Sequence, residues 1–219
     1  MKTRILVLLA AGSLSLSAAI GGTKHDLSSA GPGAKGNTNQ TCVFCHTPHG
    51  SASGVAQIIP LWNKTTTVST GFTMYASGGT INGTIDATPT GASMACFTCH
   101  DGTQTVGNVI NMPYGVAGPA VTFTAGGNVS ALGIMTGINA LGKDLTNDHP
   151  VSITYQDNLD TGLKAPATFP ANTVRLFPSN ITGSKVQCAS CHDVHNATNA
   201  PFLRVANTGS ALCLTCHVK

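Results

Sequence analysis

Cys42-Val43-Phe44-Cys45-His46-Thr47-Pro48-His49 is the stretch whose reading decides the fold. Its CxxCH core recurs at Cys96-Phe97-Thr98-Cys99-His100, Cys188-Ala189-Ser190-Cys191-His192 and Cys213-Leu214-Thr215-Cys216-His217. These copies consume all 8 cysteines of the chain. CxxCH is the attachment signature of c-type haem. Two thiols add to the vinyl groups of one haem, and the two intervening residues let them straddle its edge. The adjacent histidine then lies under the ring and ligates the iron. The expected cofactors are therefore four c-type haems with their iron. Cys42, Cys45, Cys96, Cys99, Cys188, Cys191, Cys213 and Cys216 form the attachments, and His46, His100, His192 and His217 are the first ligands. Disulfides suit an exported chain, and paired CxxC motifs build zinc sites, but both leave the four motif histidines idle. A thioredoxin-like motif is expected once, beside a βαβ pattern, and neither condition holds.

The chain has 8 histidines, so four remain outside the motifs: His25, His49, His149 and His195. Four irons have four second axial positions, and the match predicts bis-histidine ligation throughout. Methionine is the competing ligand and raises the potential; Met74, Met94, Met112 and Met135 are expected instead to pack on haem faces or in the core. Two histidines per iron leave no open coordination site. That favours electron transfer over catalysis, and no enzyme activity is expected.

The motifs fall into two haem pairs. The first and third read CHTPH and CHDVH, from Cys45 to His49 and from Cys191 to His195, while the second and fourth end in Thr-Cys-His. An internal duplication follows from this double agreement. His49 lies too close in sequence to His46 to reach the opposite face of the same haem. His49 and His195 are expected to cross-ligate the neighbouring haem of their own pair. The segment between the pairs is rich in Gly and Thr, and stretches such as Val121-Thr122-Phe123-Thr124 predict short strands or hairpins. Pro150 biases His149 toward an extended, fixed loop conformation. Trp62, Tyr75, Phe97, Tyr155 and Phe202 pack either on haem edges or in the core; the sequence leaves both readings open.

Met1-Lys2-Thr3-Arg4, the apolar run after it and the small residues up to Ala19 read as a secretory signal peptide over residues 1–19. The apolar run is shorter than the roughly 20 residues of a membrane span. Residues 20–219 are expected to form a single tetrahaem domain, with haem pairs over about 20–110 and 145–219. Charged residues make up only 9% of the chain, against about 25% in ordinary domains. There is no Glu, and Gly numbers 25. Such a composition predicts an irregular fold, mostly loop with short helices and short β-strands, organised around a haem stack. Without haem the chain has too little core to offset its entropy, so the apo-protein is expected not to fold. No Lys/Arg cluster marks a nucleic-acid surface.

These residues resemble a known family. Cys42 to Gly50, Pro60-Leu61-Trp62-Asn63, Cys96 to Thr103, Asp148-His149-Pro150-Val151-Ser152, Ser210 to His217 and Lys24-His25-Asp26-Leu27 are similar to the doubled-CxxCH multihaem cytochromes. Within that group the chain looks most like the tetrahaem outer-surface cytochromes of the OmcE type. The resemblance implies self-association into a conductive filament with a continuous haem stack. It also implies electron transfer to other cytochromes or extracellular acceptors, at the outer cell surface. In such filaments an axial histidine can come from the next subunit, and His25, on an N-terminal arm, is the expected one. A monomeric periplasmic carrier or conduit subunit is the alternative, with a multihaem reductase behind it.

Overall fold

The computed structural model describes residues 20–52, 59–65, 70–76, 81–118, 120–179 and 181–219. The expected signal peptide lies outside the described residues. Regular structure is sparse. The longest element is helix α1, Gly91–His100, which carries the second CxxCH. Helices α2, Cys188–Cys191, and α3, Cys213–Cys216, are single turns formed by the third and fourth motifs. The first motif forms a 3₁₀ turn over Cys42–Phe44. CxxC spacing is one helical turn, so each motif folds into the geometry that brings its two sulfurs to one side.

Two antiparallel sheets of two-residue strands complete the regular structure. Strand β1, Lys35–Gly36, pairs with β2, Phe123–Thr124, and β3, Ile153–Thr154, pairs with β4, Lys185–Val186. The strand expected around Val121 is present but short, and neither sheet is a hairpin. Each instead joins segments far apart in sequence, so the middle of the chain is stitched to both ends. Close backbone approach is part of this. A side chain at Gly107 would collide with the Val121 carbonyl oxygen, and the two segments are joined by the Val121 N–H, which donates to Gly107 O at 3.1 Å.

Helix α1 is buried on almost every side. Ala92, Ser93, Met94, Ala95, Phe97 and Thr98 are all inaccessible. Its small residues let other elements come near: Ser93 Oγ accepts from the Cys188 N–H at 2.9 Å, and Ser93 N–H donates to Gln187 Oε1 at 3.2 Å. Gly102, at φ +71°, ends the helix region in a left-handed conformation.

Apolar burial is divided among separate clusters. One joins Ala52, Trp62 and Ala95 with Cys45; another joins Ala34, Val106 and Val129 with Cys99; a third joins Tyr75, Phe97 and Leu145 with Cys188. Every cluster is bordered by a motif cysteine. Among the described residues, no helix is long and apolar enough to cross a membrane.

Candidate functional site

Three of the four motifs are held by the same backbone clasp. In each, a partner residue donates its N–H to the carbonyl of the second cysteine, and its side chain donates to the carbonyl of the residue after the first cysteine. For the first motif the partner is Asn63, with its N–H on Cys45 O at 2.9 Å and Nδ2 on Val43 O at 2.7 Å. For the third it is Arg204, with N–H on Cys191 O and Nε on Ala189 O, both 2.8 Å. For the fourth it is Lys164, with N–H on Cys216 O and Nζ on Leu214 O, both 2.7 Å. A second rung closes each clasp: Thr47, Asp193 and Val218 donate to the carbonyls of Leu61, Phe202 and Gly162. Leu61 and Phe202 sit at positive φ, +58° and +63°, so the first and third clasps share even their strained residue.

The clasp orients the motif histidine. His46 Nδ1 bonds Pro60 O at 2.8 Å, and His192 Nδ1 bonds Pro201 O at 2.9 Å, three residues before Asn63 and Arg204 respectively. On α1, His100 Nδ1 bonds Asn139 O at 2.8 Å. A carbonyl on Nδ1 fixes the tautomer with its proton there and leaves Nε2 bare as the ligand atom.

Non-motif histidines face three of these rings. The centroids of His46 and His195 are 6.2 Å apart, those of His25 and His100 6.2 Å, and those of His149 and His217 6.4 Å. With a metal–nitrogen bond of about 2 Å, two imidazoles on opposite sides of one metal hold their centres about 6 Å apart. His25 also meets the Phe202 ring edge-on at 4.6 Å. Buried polar atoms also lack partners here: His25 Nδ1 and Trp62 Nε1 make no hydrogen bond. Burial, with His100, His192 and His195 nearby, lowers the His25 pKa to about 4 and keeps the ring in its neutral, ligating form. Imidazoles set across from one another, Nε2 atoms left bare and paired cysteines fit a haem.

Sequence reasoning has His25 on an arm reaching outward and His195 crossing within its own pair. Within the chain, His25 neighbours His100 and His195 neighbours His46. Asp26 curls the arm back, accepting from the Gly22 and Ser28 N–H groups, Ser28 Oγ and Thr41 Oγ1, and so delivers His25 to His100. His195 lies across from His46, the motif histidine of the other half. His49 and His192 are exposed, as are His149, His195 and His217, and His192 lies near enough to His25 and His100 to help lower the pKa of both. The carbonyl of His49 is gripped by Thr47 Oγ1 at 2.9 Å and Asn111 Nδ2 at 2.8 Å, which fixes its loop. Both flank a cavity of about 640 Å³ lined by Cys42, His46, His49 and Met112.

The aromatic side chains divide by role. Trp62 sets its edge near His46, at 6.2 Å, and Phe202 backs His25. Tyr75 donates to His149 O at 3.2 Å and accepts from the Val151 N–H at 3.3 Å, so it brackets Pro150. Tyr155 donates to Lys164 O at 2.7 Å, beside the fourth motif. Of the methionines, Met74 and Met135 border apolar clusters and Met94 is buried on α1. Arg204 and Lys164 went unnoticed in the sequence. The signal for Arg204 was present: a CxxCHxxH followed by Pro-x-x and a side-chain donor, as in Pro60 to Asn63 and Pro201 to Arg204.

None of the eight cysteines is paired in a disulfide. Burial pushes Cys45 up to about 12, with Cys99 close enough to raise it further. Cys96 shares a hydrogen bond with Cys188, which raises the first and lowers the second. Burial raises Cys191, and Cys188 and Cys213 beside it add to the effect.

Residues 182–219 match the doubled CXXCH motif. The match spans the third and fourth motifs and supports a multihaem c-type cytochrome. CxxCH motifs indicate covalently bound c-type haem with iron, and with it electron transport. No curated protein matches the chain.

Proposed function

We propose that this chain carries electrons through four covalently attached haems, each iron held by two histidines, as a subunit of an extracellular filament. The observation that carries the reading is the opposition of three motif histidines to three non-motif histidines at 6.2 to 6.4 Å. In this reading His46 pairs with His195, His100 with His25, and His217 with His149. When bound, haem iron alternates between ferric and ferrous states and exchanges one electron at a time. The protein's part is to fix the ligands, exclude other ligands from the iron and keep neighbouring haems close.

Closeness is supported by the order of sulfur neighbours. Cys45 lies by Cys99, Cys96 by Cys188, and Cys191 by Cys213, so the motifs follow one another as first, second, third, fourth. The apolar cluster around Cys45 includes Ala95, the residue before Cys96.

Self-association is supported by what remains. Among the described residues His49 is the non-motif histidine left outside the three pairs, and in this reading the His192 iron takes its second ligand from outside its own chain. His49 of a neighbouring copy completes it, so in this reading His49 replaces His25 as the histidine that crosses between subunits. Tyr114, Leu132 and Ile138 are large apolar side chains left exposed, and the chain is poor in charge, which suits permanent contacts.

Cryo-electron microscopy of native protein sheared from cells, without detergent or denaturant, tests this. Filaments with His49 on the His192 iron of the next subunit are expected. Discrete particles with every iron ligated inside one chain would replace the filament with a soluble carrier.

A further inference from the structure

Lys64 is an ammonium in an unusual place. It is 2% exposed in a chain with few charges. Its Nζ donates to Val106 O at 2.7 Å and to Asn108 O at 3.2 Å, and neither partner is charged. Lys185 and Arg204 meet carboxylates, Asp86 at 2.6 Å and Asp193 at 3.2 Å, and the half-buried Lys164 and Lys143 donate to carbonyls as Lys64 does, but Lys64 is the one of these that is buried almost completely. No ion pair with Lys64 occurs among the described residues. An ammonium buried without a counter-charge is costly, which makes a purely cohesive role hard to account for. A neutral Gln amide, with two N–H donors, could hold two carbonyls without the burden of a buried charge.

Its position gives it another use. Lys64 directly follows Asn63, whose N–H and side chain clasp the first motif at Cys45 and Val43. Val106 and Asn108 follow the second motif, so the ammonium ties the segment that clasps the first motif to the segment that leaves the second. In a water-poor interior a fixed charge acts more strongly than at the surface. Ferric haem carries one more positive charge than ferrous haem, so a buried cation nearby destabilises the oxidised form.

We infer that Lys64 is a fixed positive charge that raises the reduction potential of the haem attached at Cys42 and Cys45. The inference rests on haem attachment at that motif. It separates the first haem from the others in potential and gives the relay a preferred resting place for an electron.

An electron paramagnetic resonance redox titration of the holoprotein tests it, because the first haem has its own signal. The His46 and His195 planes differ by 23°, whereas His25 and His100 differ by 56° and His149 and His217 by 75°. Near-parallel imidazoles split the iron d orbitals more than crossed ones, so this haem gives a distinct rhombic low-spin signal. In Lys64→Met, the midpoint of that signal is expected to fall by at least a tenfold change in its one-electron equilibrium, about 59 mV. Lys64→Arg keeps the charge and is expected to keep the midpoint. If Lys64→Met does not mature, Lys64→Gln keeps donors for the two carbonyls and removes the charge. An unchanged midpoint in a neutral variant that retains its haems overturns the inference, whether or not thermal stability falls. Peptide mass spectra of the wild type lacking haem on Cys42 and Cys45 would instead sink the haem reading beneath it.

Discussion

His49 and His195 occupy equivalent places in two CxxCHxxH segments, yet they meet different surroundings. His195 lies opposite His46 at 6.2 Å. His49 is held at the surface by its carbonyl, through Thr47 and Asn111, and its ring is left to the solvent. Such pinning of the backbone narrows the positions the ring samples and lowers the entropy lost on ligating a neighbouring copy's iron. The proposed role makes a sharp demand on spectra. His49→Ala is expected to leave one haem per subunit high-spin, and carbon monoxide should bind that haem after reduction. A wholly low-spin, inert spectrum in the variant excludes His49 as a ligand. Neither the partner of His195 nor the neighbour of His25 was legible in the sequence. A histidine count gives the number of axial ligands, but opposition across a ring depends on turns such as the one Asp26 makes. That carboxyl gathers four donors from three different residues, and local spacing does not encode where the resulting curl points.

At the level of elements, the clasp is the recurring unit. Its first and third copies follow their motifs closely in sequence, and both contain Pro-x-x before the donor. Here the expected duplication has a structural counterpart. The fourth motif takes its clasp from Lys164, far upstream, where no Pro-x-x precedes it, and this is why the pattern is invisible there. Short helices at the motifs were legible because CxxC spacing is one turn; the pairing of β1 with β2 and of β3 with β4 was not, since two-residue strands have no periodicity to read. Asn63 shows how much a clasp residue carries. It is fully buried, its Nδ2 serves Val43 O and Asn111 O, and its Oδ1 accepts from the Asn111 N–H. Truncation strands these groups, at about 1–3 kcal/mol for a buried unsatisfied partner. Asn63→Ala is therefore expected to destabilise the holoprotein by about 3 kcal/mol, or roughly 10 °C in melting temperature for a chain of this size. Calorimetry reads the shift directly, and a melting temperature equal to wild type would mean that the clasp is incidental.

The whole molecule has no continuous apolar core among its described residues. Burial is split into clusters bordered by Cys45, Cys99 and Cys188, and the sheets are too short to support one another. Most of the chain is loop, whose ordering costs about 1–2 kcal/mol per residue in backbone entropy. Small apolar clusters do not offset that cost. Four haems would, by joining the clusters across their faces and by tying each motif covalently to its neighbours' packing. Stability that depends on a bound group is lost with the group, and here the group cannot dissociate, so dilution of the mature protein should not unfold it. The contrast to measure lies in assembly. Chain made without haem attachment is expected to show no cooperative thermal transition and rapid amide exchange, while the mature protein melts cooperatively at any dilution. A cooperative transition in the haem-free chain would mean that its separated clusters suffice, and the haems would then be passengers on the fold rather than its core.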